Sequence, residues 1–446
     1  MRINIPSDVN FIIRTLQDAG YEAYAVGGCV RDSVLGREPN DWDITTSAKP
    51  EEVKKLFKVT IDTGIQHGTV TVRLHKQSYE VTTYRIDGEY SDHRRPDGVT
   101  FTDELKEDLL RRDFTINAMA ASDTDGIVDL YGGMQDLEDK VIRCVGDPDK
   151  RFDEDALRIM RAVRFAAQLG FDIDGATLEA AKRHVKDLKQ VSVERIQVEL
   201  TKLLVSPHPE KLLIMYEIGI TRIILPEFDR MVETAQNNPY HLYDVGRHTI
   251  EVMKNVSPEK KIRYAALLHD VGKPECKTTD ERGIDHFKGH AEVGEDIAEK
   301  VLRRLRMDND TIKDVKTLVR WHDYGIYGQI TKKGVRRMIS KMGEEYLDRL
   351  IEIKKADMAG QSDYRLEWRT EEFNKFTGFC KEIIDEKSPL KISDLKVGGN
   401  DLKAAGVPEG KELGRVLHML LDEVLDEPEK NEQGYLIRRA LEIKNI

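Results

Sequence analysis

The hydrophobic pattern changes its period near residue 136. Before that point, helical and strand spacings alternate. Residues 8–20 repeat apolar positions at helical spacing, with Ser7 as an N-cap and Gly20 as a stop. Ala23–Val26 reads as a short strand ending in Gly27-Gly28, and Val30–Leu35 as a helical turn stopped by Gly36. Trp42–Thr45 is a second strand. Lys49–Phe57 is a helix with Pro50 in its first turn, where proline is well tolerated. Gly68–Leu74 and Tyr79–Arg85, with its β-branched Val81-Thr82-Thr83, predict two more strands. Beyond 136, strand signals fade apart from Val141–Val145, and the helical period dominates. The fold class expected is α+β: a mixed sheet with helices, then helices alone.

Pro207-His208-Pro209, Asn237-Asn238-Pro239 and the loop Lys387–Gly399 interrupt the helical part. A chain of 446 residues exceeds a single core. Its 34% charged and 39% hydrophobic residues are those of a soluble globular protein. No apolar run approaches the ~18 residues of a spanning helix, and the amino terminus lacks the pattern of a signal peptide. Cys29, Cys144, Cys276 and Cys380 show no disulfide or zinc spacing, so a reducing, cytoplasmic setting is expected. The net charge of −11 argues mildly against nucleic-acid binding. It leaves room for a local basic face, because charge acts within roughly 8 Å at physiological salt.

Candidate chemistry begins with Asp41-Trp42-Asp43, which closely follows Gly27-Gly28-Cys29-Val30-Arg31-Asp32. Two carboxylates two apart on a strand share a face, because side chains alternate with period 2. Hard cations such as Mg²⁺ are held by one or two carboxylates plus substrate phosphates. Asp41 and Asp43 are therefore candidate catalytic metal ligands. Glu80, on a neighbouring strand, is the candidate third carboxylate. Glycine at a strand end lets backbone approach phosphate, so Gly28 is a nucleotide-binding candidate. Arg31 adds a bidentate phosphate contact. In Leu110-Arg111-Arg112-Asp113-Phe114-Thr115-Ile116-Asn117-Ala118, Arg112 can face a triphosphate. The plain alternatives are a solvated strand end for the aspartates and an ordinary strand ion pair for Glu80.

Taken in order, Gly27-Gly28-x-Val30-Arg31-Asp32, Asp41-x-Asp43, the loop Arg85–Pro96 and Arg111-Arg112-Asp113-Phe114-Thr115-Ile116-Asn117-Ala118 resemble the bacterial class II CCA-adding enzymes, of the tRNA nucleotidyltransferase and poly(A) polymerase family. The resemblance implies a nucleotidyltransferase head of the polymerase-β type, then an all-α neck, body and tail. The loop keeps Asp87-Gly88-x-Tyr90-x-Asp92-x-Arg94-Arg95-Pro96. In the resembled family, that favours addition of the terminal A over addition of CC alone.

Glu154-Asp155-Ala156-Leu157-Arg158 is expected on one helix running on through Arg161 and Arg164. Asp155 and Arg158, at i and i+3, then share a face. A carboxylate accepting from an amino group, beside a guanidinium donating to a ring nitrogen, fits cytosine and adenine alike. Uracil and guanine present the opposite polarity and would leave buried charges unpaired. The family's matching motif has this base-reading role; a surface ion pair is the plain alternative. Arg161 and Arg164 drift around the helix and suit phosphate or positioning roles. Ser192-Val193-Glu194-Arg195-Ile196, with Glu199 and Lys202, is similar to the neck motif that supports this helix and reads as structural.

The body carries a second constellation: His248, His269-Asp270 in Leu267-Leu268-His269-Asp270-Val271-Gly272-Lys273, then His290, His322-Asp323 and Asp357. Imidazoles and carboxylates at this density suit a divalent metal between helices. The run resembles the HD phosphohydrolase superfamily. Its H…HD…D pattern falls on His248, His269, Asp270 and Asp357, and His290 and His322 match the extra histidines of two-metal members. Lys273 is a candidate phosphate contact. The site is a candidate phosphohydrolase, with 2′,3′-cyclic phosphates at damaged RNA ends as a candidate substrate. A fold-keeping relic is the alternative. His208, His241 and His286 read as surface or loop histidines.

The resemblance divides the chain into a head (1–136), a base-reading neck (137–206), a connector (207–238), an HD domain (239–360) and a tRNA-binding helical tail (361–446). It implies template-independent addition of C, C and A to tRNA from CTP and ATP. Mg²⁺ would serve in the head and a second divalent metal in the HD domain. The implied partners are the tRNA acceptor arm and 3′ end, with no membrane and no obligate protein partner. A poly(A) polymerase, the A-adding member of a split CC/A system, or an HD hydrolase whose head only binds RNA are the alternatives.

Overall fold

A computed structural model describes residues 2–88, 98–325 and 330–444. The chain separates into two compact units, residues 1–229 with 304–306, and residues 230–303 with 307–446. No helix among the described residues is long and apolar enough to cross a membrane.

The first unit opens with α1 (Ser7–Asp18), which buries Val9, Ile12, Ile13 and Leu16 on one face. Pro6, not Ser7, occupies the N-cap position. There follow β1 (Ala23–Val26), α2 (Gly28–Val34), β2 (Asp43–Thr46), α3 (Pro50–Leu56), β3 (Thr60–Gly64), β4 (Thr69–Leu74) and β5 (Gln77–Thr83). The hairpin β6 (Arg85–Asp87) and β7 (Val99–Phe101) brackets residues 89–97. Tyr90, Asp92, Arg94, Arg95 and Pro96 of the expected loop therefore lie outside the described residues. After α4 (Leu105–Leu110), β8 (Met119–Ser122) and β9 (Gly126–Asp129) complete a seven-stranded sheet of order β3-β4-β5-β2-β1-β8-β9. Only the β2–β5 pairing in it is parallel. This mixed sheet buries Val26, Ala118 and Ala120 against Tyr84, Leu109 and Val145.

Helices then take over: α5 (Gly133–Glu138), α6 (Pro148–Glu154), α7 (Leu157–Leu169), α8 (Gly175–His184) and α9 (Val193–Leu204). The long α7 is buried on almost every side, including Met160, Val163, Phe165 and Ala166. Among the described residues, strand pairing after 136 is limited to two two-residue ladders, Val141–Ile142 with Asp172–Ile173 and Thr278–Thr279 with Asp285–His286, and a bridge between Cys144 and Phe114. Ladders this short carry no readable alternation.

The second unit is helical. Helices Val245–Lys254, Lys260–Leu268, His290–Arg304, Asn309–Trp321 and Leu347–Ala359 surround a polar centre, and Leu366–Asp385, Lys411–Asp426 and Gln433–Lys444 follow.

Candidate functional site

Asp43 opens β2, and its direct partner across β5 is Glu80. Paired residues of neighbouring strands project on the same face, so the two carboxylates stand side by side. Asp41 lies two residues upstream. Partial burial raises the Asp43 carboxyl above its usual range, with Asp41 adding to the rise and Arg112 opposing it. The Glu80 carboxyl is raised by burial, then by Asp43 and Asp41. The three groups thus share one field, and their all-oxygen donor set fits a hard divalent cation.

Arg112 is held beside them. Asp108, fully buried, accepts from Thr45 Oγ1 of β2 at 3.0 Å and lies 2.8 Å from Arg111 and 3.5 Å from Arg112. The Arg112 guanidinium lies over Gly27, where an added Cβ would stand 2.9 Å from Nη1. Gly27 also has φ +85°, a conformation that only glycine adopts without strain. Gly28, the sequence candidate, has no such constraint: its nearest neighbour is Arg31 Nη2 at 3.7 Å.

A chain of hydrogen bonds runs from α2 to α7. Arg31 donates to Asn117 Oδ1 at 2.6 Å, Asn117 donates to Asp113 Oδ1 at 3.1 Å, and Arg161 donates to Asp113 Oδ2 at 2.8 Å. Burial would raise the Asp113 carboxyl, but Arg161 and Asn117 outweigh it and hold it well below the carboxylate range. Arg31, Arg161 and Arg164 surround the Phe165 ring at 5.0, 5.4 and 3.7 Å from its centroid. Arg164 is buried, with its pKa pushed down to about 10 by that burial, and pairs with Glu199 at 2.6 Å. Arg161 and Arg164 therefore fasten α7.

The Glu154–Arg158 segment departs from expectation. It is not one helix. Asp155 has extended backbone (φ −147°, ψ 101°) between α6 and α7, so the i, i+3 geometry does not apply. Arg158 pairs with Glu154 and donates to the carbonyls of Arg151 and Arg111 at 3.0 Å. Asp155 instead receives Arg195 of α9 at 2.6 and 3.2 Å and the Leu157 N–H at 3.1 Å. Asp155 and Arg158 still lie at one junction, because α7 begins between them. Arg195, which reads as structural from sequence, is the side chain that orients Asp155.

In the second unit, His248, His269 and Asp357 present ligand atoms within 4.8 Å of one another, and so do Asp270, His290 and His322. Asp270 belongs to both groups by distance. Its Oδ2 is 3.1 Å from His269 Nε2 and 3.6 Å from His248 Nε2; its Oδ1 is 3.4 Å from His290 Nε2 and 3.6 Å from His322 Nε2. The histidines are aimed by the backbone. His269, His290 and His322 direct Nδ1 at the carbonyls of Ala266, Phe287 and Val319 at 2.7–2.8 Å, and His248 directs its own at Gly360 O at 3.3 Å. With Nδ1–H donating, each Nε2 is left as a lone pair, the usual preparation of a metal-binding imidazole. His290 Nε2 and His322 Nε2 then face each other at 3.2 Å, and His269 Nε2 is buried without a hydrogen-bond partner, with Asp270 Oδ2 3.1 Å away. These converging imidazole nitrogens and carboxylates fit divalent cations, which His248, His269, Asp270, His290, His322 and Asp357 would hold. Lys273 sits 2.7 Å from Asp270 and donates to Gln236 at 2.8 Å.

Family profiles match residues 23–143 ("Poly A polymerase head domain"), 170–232 ("Probable RNA and SrmB- binding site of polymerase A") and 240–358 ("HD domain"). The CCA-adding enzyme of Levilactobacillus brevis is 36% identical over 429 residues, 96% of this chain and 95% of that protein. The chain belongs to the CCA-adding enzyme family. The CCA-adding enzyme of Lactobacillus helveticus is 57% identical over 197 residues, a match spanning 44% of this chain and about half (49%) of that relative. The crystal structure of the Bacillus stearothermophilus CCA-adding enzyme in complex with CTP superposes with a TM-score of 0.70 at 28% identity, covering 98% of this chain and 96% of that one.

Among the residues that sequence reading passed over in this CCA-adding enzyme family member, His241 stands out. Its ring lies edge-on to His248 with centroids 5.0 Å apart, and its Nδ1 is buried without a partner. Burial, then Lys273 and His248, push its pKa down to about 2. His208 and His286 are where they were expected, paired with Glu210 and Asp280. No sequence signal separates His241 from them, since its partner His248 acts through folding.

Proposed function

We propose that this chain adds C, C and A in turn to the 3′ end of tRNA, without a template, from CTP and ATP. The observation that carries the reading is the register that sets Asp43 against Glu80 beside Asp41, in a chain aligned from end to end with a CCA-adding enzyme. The tRNA 3′-hydroxyl attacks the α-phosphate, its oxygen forms the new P–O bond, pyrophosphate leaves, and the hydroxyl proton is lost to solvent. Asp41, Asp43 and Glu80 would hold the divalent cations, for which we propose Mg²⁺; these would lower the hydroxyl's pKa and neutralise the leaving pyrophosphate. Arg112, poised over Gly27, takes the triphosphate. Asp155 accepts from the amino group of cytosine or adenine. Arg158 exchanges its Glu154 contact for the ring nitrogen.

The five-part division given above belongs to this reading, with 361–446 gripping the acceptor arm. So does a cytoplasmic setting, where tRNA and nucleoside triphosphates meet and where the four free cysteines stay reduced. The test is incorporation from each nucleoside triphosphate, alone and in pairs, on tRNA ending before CCA, after C and after CC. Incorporation of ATP alone on any RNA would overturn it.

A second activity is proposed for the HD cluster: metal-dependent hydrolysis of phosphoesters at RNA ends, including 2′,3′-cyclic phosphates. It is supported by the two ligand groups and by Asp270, whose carboxylate lies 3.1–3.6 Å from the Nε2 atoms of all four histidines. Asp270, Asp357 and the four histidines hold the cations, which would supply a metal-activated water. Metal-dependent opening of a 2′,3′-cyclic phosphate to the terminal phosphomonoester, or release of phosphate from such a monoester, that His269→Ala removes with nucleotide addition retained, is the expected result.

A further inference from the structure

The polar centre of the second unit has an unusual rim. Four aromatic side chains among the described residues are largely exposed: Phe11, Tyr243 (41%), Tyr364 (42%) and Trp368 (45%). Three of the four fall on two short segments, 239–243 and 361–369, that flank the ligands His248 and Asp357 in sequence. The segments are joined to each other. Ser362 donates its N–H to Tyr240 O at 2.9 Å and its hydroxyl to Pro239 O at 2.5 Å. The Tyr240 and Tyr364 rings meet edge to face with centroids 5.0 Å apart.

The segments are also joined to the ligands. Gln361 Nε2 donates to Asp357 Oδ1 at 3.1 Å, and Gly360 O faces His248 Nδ1 at 3.3 Å. Tyr364 is only three residues beyond Gln361. Arg369 donates back to Gln361 Oε1 at 2.5 Å and to Ser362 O, which fixes the turn that carries Tyr364. Arg365 lies over the Tyr364 ring at 5.5 Å.

A tyrosine edge-braced by a second tyrosine and flanked by an arginine presents a flat, rigid face with a cation beside it. Such a face stacks a nucleobase and steadies its phosphodiester. A small base-free phosphoester would have no use for it. His241, whose Nδ1 has no partner, adds a polar atom beside His248 for a ribose or phosphate group.

The geometry points to a nucleobase platform at the HD cluster, formed by Tyr364 on Tyr240 with Arg365, which selects a terminal nucleotide with an unpaired base as the ligand whose phosphate enters between the histidines. This assignment rests on the HD cluster taking phosphoesters, as proposed above, and it names the class of phosphoester.

Two measurements on the full chain test it. The first is fluorescence quenching of 2-aminopurine riboside 3′-phosphate in the presence of chelator, with excess CTP to occupy the head. The parent quenches the probe; Tyr364→Ala weakens binding by ~10-fold or more, the usual scale for losing one stacking ring, and Tyr364→Phe restores it. The second is hydrolysis, with Mn²⁺ supplied, of adenosine 2′,3′-cyclic phosphate against 1-O-methylribose 2′,3′-cyclic phosphate. Tyr364→Ala lowers the ratio of the first rate to the second. Equal probe binding by parent and Tyr364→Ala, or equal losses on both esters, overturns the platform. Quenching that depends on Tyr364 in a chain that hydrolyses neither ester supports the platform and overturns the hydrolytic reading instead.

Discussion

Asp155 and Arg195, 40 residues apart in sequence, meet as a two-point ion pair at 2.6 and 3.2 Å. The carboxylate proposed to read the base is thus aimed from another helix. Arg195→Ala frees Asp155 to rotate. A hydrogen bond to a charged group contributes ~1.5–3 kcal/mol, so the C-over-U and A-over-G preferences should each fall by roughly 10-fold or more. Arg195→Lys keeps the charge and recovers part of the loss. Competing incorporation of paired nucleotides measures this; unchanged preference beside unchanged tRNA binding would leave Arg195 a purely structural residue.

Asp43→Asn should reduce nucleotide addition by ~10²–10³-fold or more, as removal of a preorganised charge-stabilising group does. The same change should stabilise the metal-free protein. The Asp43 carboxyl is raised in the folded state, so the fold binds its proton more tightly than the unfolded chain does. Its ionisation therefore costs stability as pH rises from the unfolded value through the folded one. A melting temperature higher by roughly 1–3 °C in Asp43→Asn with chelator present is expected. A divalent cation should raise the parent's melting temperature by more than the variant's, the remainder in both coming from the HD cluster.

Asp113 has the opposite sign. Its folded pKa is depressed, so its pairing with Arg161 contributes stability that is full above the unfolded value near 4 and is lost as pH falls further. Asp113→Asn should cost about 3 kcal/mol at neutral pH, the scale for breaking a buried pair. It should also flatten the decline in melting temperature below pH 4. A variant that loses stability in acid as steeply as the parent would refute the assignment.

Gly27→Ala should cost about 1–2 kcal/mol through its left-handed backbone alone. It should also raise KM for CTP, because the methyl group displaces the Arg112 guanidinium. Gly28→Ala, whose Cβ would meet only ordinary contacts, should do much less. Thermal melts and steady-state kinetics on the two variants separate backbone strain from the loss of the arginine.

With the head carboxylates removed (Asp41→Ala, Asp43→Ala), titration with Mn²⁺ should find two equivalents in the HD cluster, and His290→Ala should reduce them to one. Elemental analysis after desalting is an independent count. Two equivalents retained in His290→Ala would mean that His290 is no ligand.

Much of the head was legible because its chemistry is written in short spacings. Asp41-x-Asp43 reads as the period of a strand, although β2 begins only at Asp43 and Asp41 precedes it, and the strand of Glu80 announces itself through Val81-Thr82-Thr83. Distances across the sheet were not legible: nothing local says that Glu80 lies opposite Asp43 rather than Asp41. The helix expected through Glu154–Arg158 failed for a related reason. Asp155 caps a break between two helices, and the hydrophobic period of α7 continues so smoothly around it that no gap appears in the pattern.

From the sequence alone came the α+β class, the change to helix near 136 and the carboxylate pair, because each depends on residues within a few positions of one another, and the histidine–aspartate set, because its run Leu267–Lys273 resembles the HD pattern. Tertiary structure alone decided which of these meet: Asp155 with Arg195, Gly27 beneath Arg112, His241 against His248, Tyr364 braced on Tyr240. The physical reason is that charge pairing, close packing and ring contact act over a few ångströms of space, whatever the length of chain between the partners.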